Sequence, residues 1–462
     1  MKKNEEYEIV ITDTAVGGEG IGKVDGITLF VKDAVIGDRA RVKITKMKKR
    51  YGYARLMELL DPSPWRTEPK CRCHRQCGGC QLQALKYEKQ LEFKQKKVEE
   101  DLRRIGGFEG VCAEPIIGME NPWQYRNKAQ FPVGRDAEGH PAAGFYAARS
   151  HRIVPNRDCP IGLPVNRKVL DAVLGVMEET GVEPYDEESG AGCVRHILIR
   201  CGFHTGEVMV CLVINTEELP HAERFAEALS GLEGMKSISV NINRQRTNVI
   251  LGETVRTLWG QPFITDSIGG ISFRISPLSF YQVNTVQTEK LYGLVSEYAG
   301  LTGSETVWDL YCGIGTISLF LAGKARKVFG VEVVPQAVAD ARENAARNGI
   351  ANAEFLKGKA EEVLPSLWER SLREGRSFNA DVVVVDPPRK GCGEELLQTM
   401  LQIRPARIVY VSCDPATLAR DLKILCAGGY ELRRVRPVDQ FCQTVHVETA
   451  ALLIREGSQQ QV

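Results

Sequence analysis

No run of apolar residues in this chain approaches the roughly 20 that a membrane-spanning helix needs. No apolar core follows the opening Met1-Lys2-Lys3-Asn4-Glu5-Glu6 either, so nothing reads as a secretory leader. A membrane partner is therefore not expected, and the cytoplasm is the expected location. Surplus charge is also lacking, since 60 Lys and Arg against 59 Asp and Glu leave a formal charge of +1. A polyanion would have to be met by local basic patches, not by the field of the whole protein. What the chain does have is length, with 462 residues at 43% apolar content, enough for about three domains with cores of their own. It also has 14 cysteines, which in a reducing compartment point to free, metal-bound or catalytic thiols and not to disulfides.

One cysteine stands at the mouth of a strand. Val409-Tyr410-Val411-Ser412-Cys413-Asp414-Pro415 is an apolar run that ends in a thiol just before an Asp-Pro turn. A buried core thiol would fit the heptapeptide as well as a nucleophile does, so the choice rests on what lies upstream. There Thr306 to Leu310 reads as a strand, Tyr311-Cys312-Gly313-Ile314-Gly315 as a glycine-rich turn, and Ile317 to Leu321 as the start of a helix. A second strand, Lys327 to Glu332, ends in a carboxylate about twenty residues after Gly313. A doubly wound nucleotide fold holds a ribose hydroxyl pair with such a group. A third strand, Asp381 to Val385, delivers Asp386-Pro387-Pro388-Arg389. Three strands thus bring polar residues to one carboxyl edge of a parallel sheet, and Ser412-Cys413 ends a fourth. The turn is Asp-x-x-x-Gly-x-Gly and lacks the third glycine of a dinucleotide fingerprint. That order is the one of an S-adenosylmethionine-dependent methyltransferase, whose ligand has no pyrophosphate.

Residues 7 to 60 hold short alternating runs split by glycine or aspartate turns, which predict a small antiparallel barrel of the oligonucleotide-binding kind. Arg39, Arg41, Lys43, Lys46, Lys48, Lys49, Arg50 and Arg55 lie there with no acid between them, interleaved with Tyr51 and Tyr53. Cations neutralise phosphates and aromatic rings stack on unpaired bases, so this unit reads as an RNA-binding face, with a merely solvated surface as the plainer alternative.

After Asp61-Pro62-Ser63-Pro64-Trp65 come Cys71, Cys73, Cys77 and Cys80, four thiols in ten residues. Two frames are open. Cys71, Cys77 and Cys80 need a distant fourth ligand, for which Cys159, followed by Pro160 as in ferredoxin-type runs, is the choice. Cys73, Cys77 and Cys80 have the spacing of radical S-adenosylmethionine enzymes. One long charged helix, Leu82 to Arg104, is expected next, in place of the repeated strand and helix units a radical enzyme would show. Structural zinc is a further possibility. Cys112, Cys193, Cys201 and Cys211 have apolar or strand neighbours and read as packed side chains. The middle region is expected to be α/β without an evident nucleophile and base, and carries two basic patches, Tyr125 to Lys128 and Ala147 to Arg152. Gln282 and Asn284 precede a helix beginning near Thr285, while Glu448 precedes a last apolar strand, Ala450 to Ile454.

In this order, Phe-Tyr-Gln-Val-Asn, Asp-Leu-Tyr-Cys-Gly-x-Gly, Gly-Val-Glu, Asp-Pro-Pro-Arg-Lys-Gly, Ser-Cys-Asp-Pro and His-Val-Glu closely resemble the RNA (uracil-5-)-methyltransferase family. The opening unit resembles a TRAM domain. Together with Cys-x5-Cys-Gly-Gly-Cys and Cys159 it resembles the family's ribosomal branch, the 23S rRNA (uracil-5-)-methyltransferases that carry a [4Fe-4S] cluster. The resemblance implies three units: a TRAM-like barrel over residues 1–61, a central α/β domain with the cluster cysteines over 62–267, and a Rossmann-like α/β methyltransferase domain over 268–462. It implies that Gln282, Tyr311, Glu332 and Asp386 bind S-adenosylmethionine, that Cys413 is the nucleophile and Glu448 the base, and that Cys71, Cys77, Cys80 and Cys159 hold the cluster. The partner it implies is RNA, 23S rRNA before tRNA, and the enzyme is expected to act as a monomer.

Two segments depart from the family pattern. Phe441-Cys442-Gln443-Thr444 stands where relatives often have Phe-Pro-His-Thr, and Lys359 stands where an acid or amide is common, so Lys359 is left out of the site. An RNA cytosine-5-methyltransferase would place a second cysteine where this chain has Arg389. An amino-group methyltransferase would need no nucleophilic thiol, and a non-catalytic RNA-binding iron–sulfur protein would not need Cys413.

Overall fold

The computed structural model describes residues 1–457. The first five strands are β1 (Glu6–Thr14), β2 (Gly20–Val24), β3 (Ile27–Lys32), β4 (Arg39–Met47) and β5 (Tyr51–Asp61), closed into a barrel in the order β1-β2-β3-β5-β4. Alternation drives the closure: Ala40, Val42 and Ile44 of β4 turn inward against Ile9, Ile11, Leu29 and Val31, all buried. The expected barrel was wholly antiparallel, whereas β3 and β5 run parallel. A closed ring with an odd number of strands cannot alternate direction at every seam, so one parallel pair is unavoidable.

The second sheet contains β6 (Lys128–Arg135), β7 (Pro141–Tyr146), β8 (Ile153–Pro155), β9 (Val194–Cys201), β10 (Val208–Ile214), β11 (Met235–Ile242) and β12 (Thr254–Gly260), ordered β12-β11-β10-β9-β6-β7-β8. Helices Val165–Thr180 and Ala222–Ser230 cover one face through Val169, Val173 and Phe225. Met209 on the central strand β10 instead joins the core of the C-terminal unit, so the sheet is packed on both sides at β10, which is apolar and buried throughout. The Tyr125 to Lys128 patch does not form a surface. Tyr125 and Asn127 are buried, and burial with Arg200 and Arg126 nearby lowers the Lys128 ammonium to about 7. The segment enters the sheet at β6, and its backbone position overrides its charge. Cys112 is exposed and not packed, while Cys193 and Cys211 are buried as expected.

A hairpin, β13 (Ile264–Ile268) with β14 (Ile271–Ile275), leads to the third sheet. This sheet contains β15 (Thr306–Leu310), β16 (Lys327–Glu332), β17 (Ala353–Lys357), β18 (Val382–Val385), β19 (Arg407–Ser412), β20 (Tyr430–Val438) and β21 (Glu448–Arg455), ordered β17-β16-β15-β18-β19-β21-β20. The first five are parallel, and β21 lies antiparallel between β19 and β20. Helices lie between successive parallel strands, so β15, β16, β18 and β19 all end on one edge. The charged helix runs over Tyr87–Asp101 and continues as a wider turn to Gly106, later than the expected start at Leu82. Residues 81 to 86 are held as a loop because the N–H groups of Gln81 and Leu82 are taken by the Gln443 carbonyl and the carbonyls of Leu82 and Leu85 by Gln90. Among the described residues no helix is long and apolar enough to cross a membrane.

Candidate active site

The turn after β15 is built from left-handed backbone. Tyr311, Gly313 and Gly315 have φ of 68°, 55° and 82°. The two glycines serve different ends. A Cβ on Gly313 would meet no atom within 4 Å, so its missing side chain leaves open space, whereas one on Gly315 would stand 2.9 Å from the Phe355 ring. The N–H of Gly313 donates to Glu332 Oε2 (3.1 Å), and Glu332 Oε1 accepts from the N–H of Val334 (2.8 Å). The acid that ends β16 is thereby fixed against the glycine turn. Asp309 lies fully beneath it. Ser318 donates to its Oδ2 at 2.5 Å, its Oδ1 has no partner, and burial pushes the carboxyl up to about 7. Asp309 heads the Asp-x-x-x-Gly-x-Gly turn in the sequence, but its complete burial is not legible there. The Tyr311 hydroxyl donates to Glu361 (2.6 Å), and burial raises its pKa. Gln282 is buried, and its carbonyl accepts from Asn127 Nδ2 (2.9 Å). Lys359 is exposed and paired with Glu362.

Cys413 and Glu448 are brought together by strand register. Ser412 pairs with Thr449 across β19 and β21, and because the strands are antiparallel the next residue of one chain, Cys413, faces the preceding residue of the other, Glu448. Asp386 ends the neighbouring strand β18. Burial, then the charges of Glu448 and Asp386, push the Cys413 thiol up to about 11, and Arg389 opposes them. Glu448 is 3% exposed. Burial first and Asp386 second raise its carboxyl well above the usual range, again against Arg389. Burial raises Asp386 to about 7. One thiol, two carboxyls and one guanidinium therefore act on each other at one sheet edge. Beyond Cys413, Asp414 caps helix Pro415–Ala427 by accepting from the N–H groups of Ala416 and Thr417.

The loop before Glu448 is tied down from several directions. The Lys94 ammonium meets Asp439 at 2.5 Å with both side chains buried, and Lys94 also donates to the Phe441 carbonyl. Asn284 donates to the Gln440 carbonyl (3.1 Å), and Tyr125 to that of Cys442 (2.9 Å). Gln443, at φ 70°, accepts from Gln90 and, through its carbonyl, from Gln81 and Leu82. The departure from the family pattern at 441 to 444 is thus absorbed by a side-chain network that fixes the approach to Glu448. His446, which the sequence offered only as the head of His-Val-Glu with no role of its own, and Lys97 also face this edge. Burial and then Arg389 lower His446 to about 4, and burial lowers Lys97, which donates to the Val445 carbonyl. Lys97 falls in no motif; only the long-range packing of the charged helix brings it here.

The four cysteines singled out as ligands lie within electrostatic reach of one another. Burial raises Cys77, Cys80 and Cys159, and the charge of Cys71 adds to each. N–H donors face the sulfurs: Gly79 to Cys77 (3.4 Å) and Asn156 to Cys71 (3.7 Å). Cys73 instead approaches the Pro155 carbonyl (3.6 Å). All described cysteines are unpaired, and among the described residues no group of three or more His, Cys, Asp or Glu closes to metal-holding geometry.

On the barrel, Arg39, Arg41 and Lys43 are paired with Glu8, Glu58 and Glu6. Lys46, Lys48 and Arg55 form no ion pair among the described residues, and they line a cleft of about 700 Å³ that runs from the barrel to Cys77 and Cys80. Phe30, Tyr51 and Tyr53 stand beside them with ring centroids 5.6 to 5.8 Å apart. Unpaired cations next to clustered rings form a surface suited to single-stranded nucleic acid.

A doubly wound sheet with a glycine turn, an acid on the next strand and a thiol beside a carboxyl at the same edge is a fold suited to a nucleoside cofactor. The model of the tRNA (Uracil-5-)-methyltransferase family matches residues 237–456, and that of the TRAM domain residues 2–57. An uncharacterized RNA methyltransferase of Halalkalibacterium halodurans is 50% identical over 454 residues, 98% of each chain. Another, of Clostridium acetobutylicum, is 50% identical over 458 residues, also 98% of each. Among solved structures, Pyrococcus abyssi tRNA (uracil-54, C5)-methyltransferase in complex with S-adenosyl-L-homocysteine superposes with a TM-score of 0.78 at 30% identity, covering 97% of this chain and 100% of its own. The chain belongs to the RNA (uracil-5-)-methyltransferase family. It is an RNA methyltransferase with an N-terminal TRAM domain.

Proposed function

We propose that the protein methylates C5 of uridine in 23S rRNA, acting as a monomer of three units divided at residues 61/62 and 267/268. The observation that carries the reading is the pairing of Cys413 with Glu448 at the edge that also bears the glycine turn, Glu332 and Asp386. The open space at Gly313 and the fixed Glu332 carboxylate fit a nucleoside, and Gln282, Tyr311, Glu332 and Asp386 are the residues assigned to S-adenosylmethionine. When bound, that cofactor supplies a methyl group on a sulfonium. The thiolate of Cys413 adds to C6 of the uracil, which moves electron density onto C5 and makes it a competent nucleophile. Once C5 is methylated, Glu448 takes its remaining proton and the Cys413 sulfur leaves C6, restoring the ring. A carboxyl with a raised pKa is a stronger base when ionised, which suits that step. Arg389, the cation opposing the two carboxyls at the thiol, favours the thiolate.

Cys71, Cys77, Cys80 and Cys159 are assigned to a [4Fe-4S] cluster. Support comes from the donor set: four unpaired thiols from two segments that perturb one another, with N–H groups facing the sulfurs. The same cysteine pattern favours 23S rRNA. A tRNA substrate is the second reading, favoured by the tRNA (uracil-54, C5)-methyltransferase that is 30% identical over nearly the whole chain. Mapping 5-methyluridine in rRNA and tRNA from a deletion strain decides between them. Loss of one 23S mark with tRNA unchanged is expected. Loss from tRNA alone overturns the ribosomal assignment, and no loss from either overturns the reading.

A further inference from the structure

The central sheet carries a second pocket, of about 330 Å³, whose lining includes Tyr146, His151, Glu187, Arg195, His196 and the loop from Arg246 to Ile250. Two of these residues are buried polar groups with an atom left over. Arg195 and His196 are 5% and 6% exposed, and neither Arg195 Nε nor His196 Nδ1 has a partner. Arg195 is immobilised, its Nη1 donating to the carbonyls of Asn243 (2.7 Å) and Gln245 (2.8 Å) and its guanidinium lying 4.6 Å over the Tyr185 ring. The Tyr146 hydroxyl donates to Glu187 (3.3 Å) and lies 3.5 Å from His196 Nε2, and His151 meets the other Glu187 oxygen (2.6 Å). Burial and the Arg195 charge lower His196 to about 4, which keeps it neutral. The loop over the pocket is pinned by Asn243, whose Nδ2 donates to the carbonyls of Val249 and Ile250.

Aromatic faces, a fixed cation, a neutral imidazole and a carboxylate together match a nucleobase, which stacks and presents both donors and acceptors on its edge. The Glu187 carboxylate disfavours a bare phosphate. The location agrees: the turn between β7 and β8 lends Ala148 and Arg149 to the barrel cleft and His151 to this pocket, so a strand lying in the cleft reaches the pocket across one turn. We propose that this pocket takes one unpaired nucleotide of the substrate RNA, stacked against Tyr146 and His151, distinct from the uridine that is methylated. The proposal rests on the reading of the protein as an enzyme acting on RNA.

The test measures binding of 23S rRNA and tRNA transcripts to the full chain in a Cys413→Ala background, which separates binding from chemistry. Asn248→Trp, a change on the exposed loop, fills the pocket, and His151→Ala removes part of its wall. Asn248→Trp is expected to weaken RNA binding by about 5- to 150-fold, the range for one lost stacking contact, with S-adenosylhomocysteine affinity unchanged. His151→Ala is expected to shift binding in the same direction by less. Abasic substitution at one unpaired RNA position should weaken the Asn248-bearing protein by a similar factor and the Asn248→Trp protein hardly at all. Unchanged RNA affinity in both variants, or abasic effects that simply add to Asn248→Trp at every position, overturns the proposal. If Cys413 proves dispensable while the pocket variants still weaken binding, the catalytic reading fails and this one stands.

Discussion

Five cysteines carry the proposed chemistry, and the two places that hold them differ in one respect. Cys413 ends a strand beside two carboxyls and a guanidinium. Cys71, Cys77, Cys80 and Cys159 sit among themselves, with backbone and amide N–H groups as their nearest helpers. Burial raises the thiol pKa of Cys413 and of Cys77, Cys80 and Cys159. At Cys413 the exposed guanidinium of Arg389 opposes it. In the other group, among the described residues, the leading influences on Cys77, Cys80 and Cys159 include no cation except Arg126 at Cys159. On the proposed reading, the neighbours separate a thiol that attacks from thiols that ligate.

Exchanging roles should be impossible in either direction. Cys413→Ala is expected to lower turnover on the order of 10⁶-fold, as loss of a covalent nucleophile does, while leaving the iron and sulfide content of anaerobically purified protein intact. Cys80→Ser should do the reverse to the metal content, which elemental analysis reads. Iron retained in Cys80→Ser, or lost in Cys413→Ala, would break the comparison. Next in size, Glu448→Gln should slow turnover by about 10²- to 10⁴-fold yet still form and methylate the adduct, so that a protein–RNA band resistant to denaturing gels accumulates on unmodified RNA. A slower enzyme with no trapped band would remove Glu448 from the role of base.

The pH dependence sharpens the contrast further. With its thiol raised to about 11, Cys413 is protonated at neutral pH, and its alkylation by iodoacetamide, followed by peptide mapping, should rise about tenfold per pH unit until that value. Glu448→Gln removes a negative neighbour and should move the curve to lower pH, and Arg389→Ala should move it higher. A plateau near pH 8 would contradict the burial argument. The smallest effects are expected on the barrel. Tyr53→Ala should weaken RNA binding by about 5- to 150-fold if it stacks on a base. Lys46→Ala should cost only a few-fold and lower the slope of log affinity against log salt by about 1. Filter binding across salt concentrations checks both.

Much of the catalytic sheet was legible because its signals are local. A strand, a glycine turn and an acid at fixed spacing are consecutive in the chain, so Gly313 and Glu332 meet as their spacing implies. The meeting of Cys413 with Glu448 is not local. It depends on β21 inserting antiparallel beside β19 with Ser412 opposite Thr449, and only the resemblance to a family linked the two residues beforehand. Lys97 had no motif at all, His446 lay in His-Val-Glu without a role of its own, and Tyr125 to Lys128 misled because a run of charge says nothing of whether its backbone enters a sheet. The central pocket was invisible for the same reason. Tyr146, Arg195 and Arg246 are separated by some fifty residues each and converge only through strand order and a pinned loop.

The central claim concerns one sulfur and one carbon. Incubating the enzyme with S-adenosylmethionine and 5-fluorouridine-substituted RNA, in which C5 has no proton to give up, should arrest the reaction with the adduct in place. Mass spectrometry of the digested complex is expected to find a methylated fluorouridine nucleotide on the peptide containing Cys413. Full turnover without any adduct, or an adduct on a different cysteine, would contradict the account.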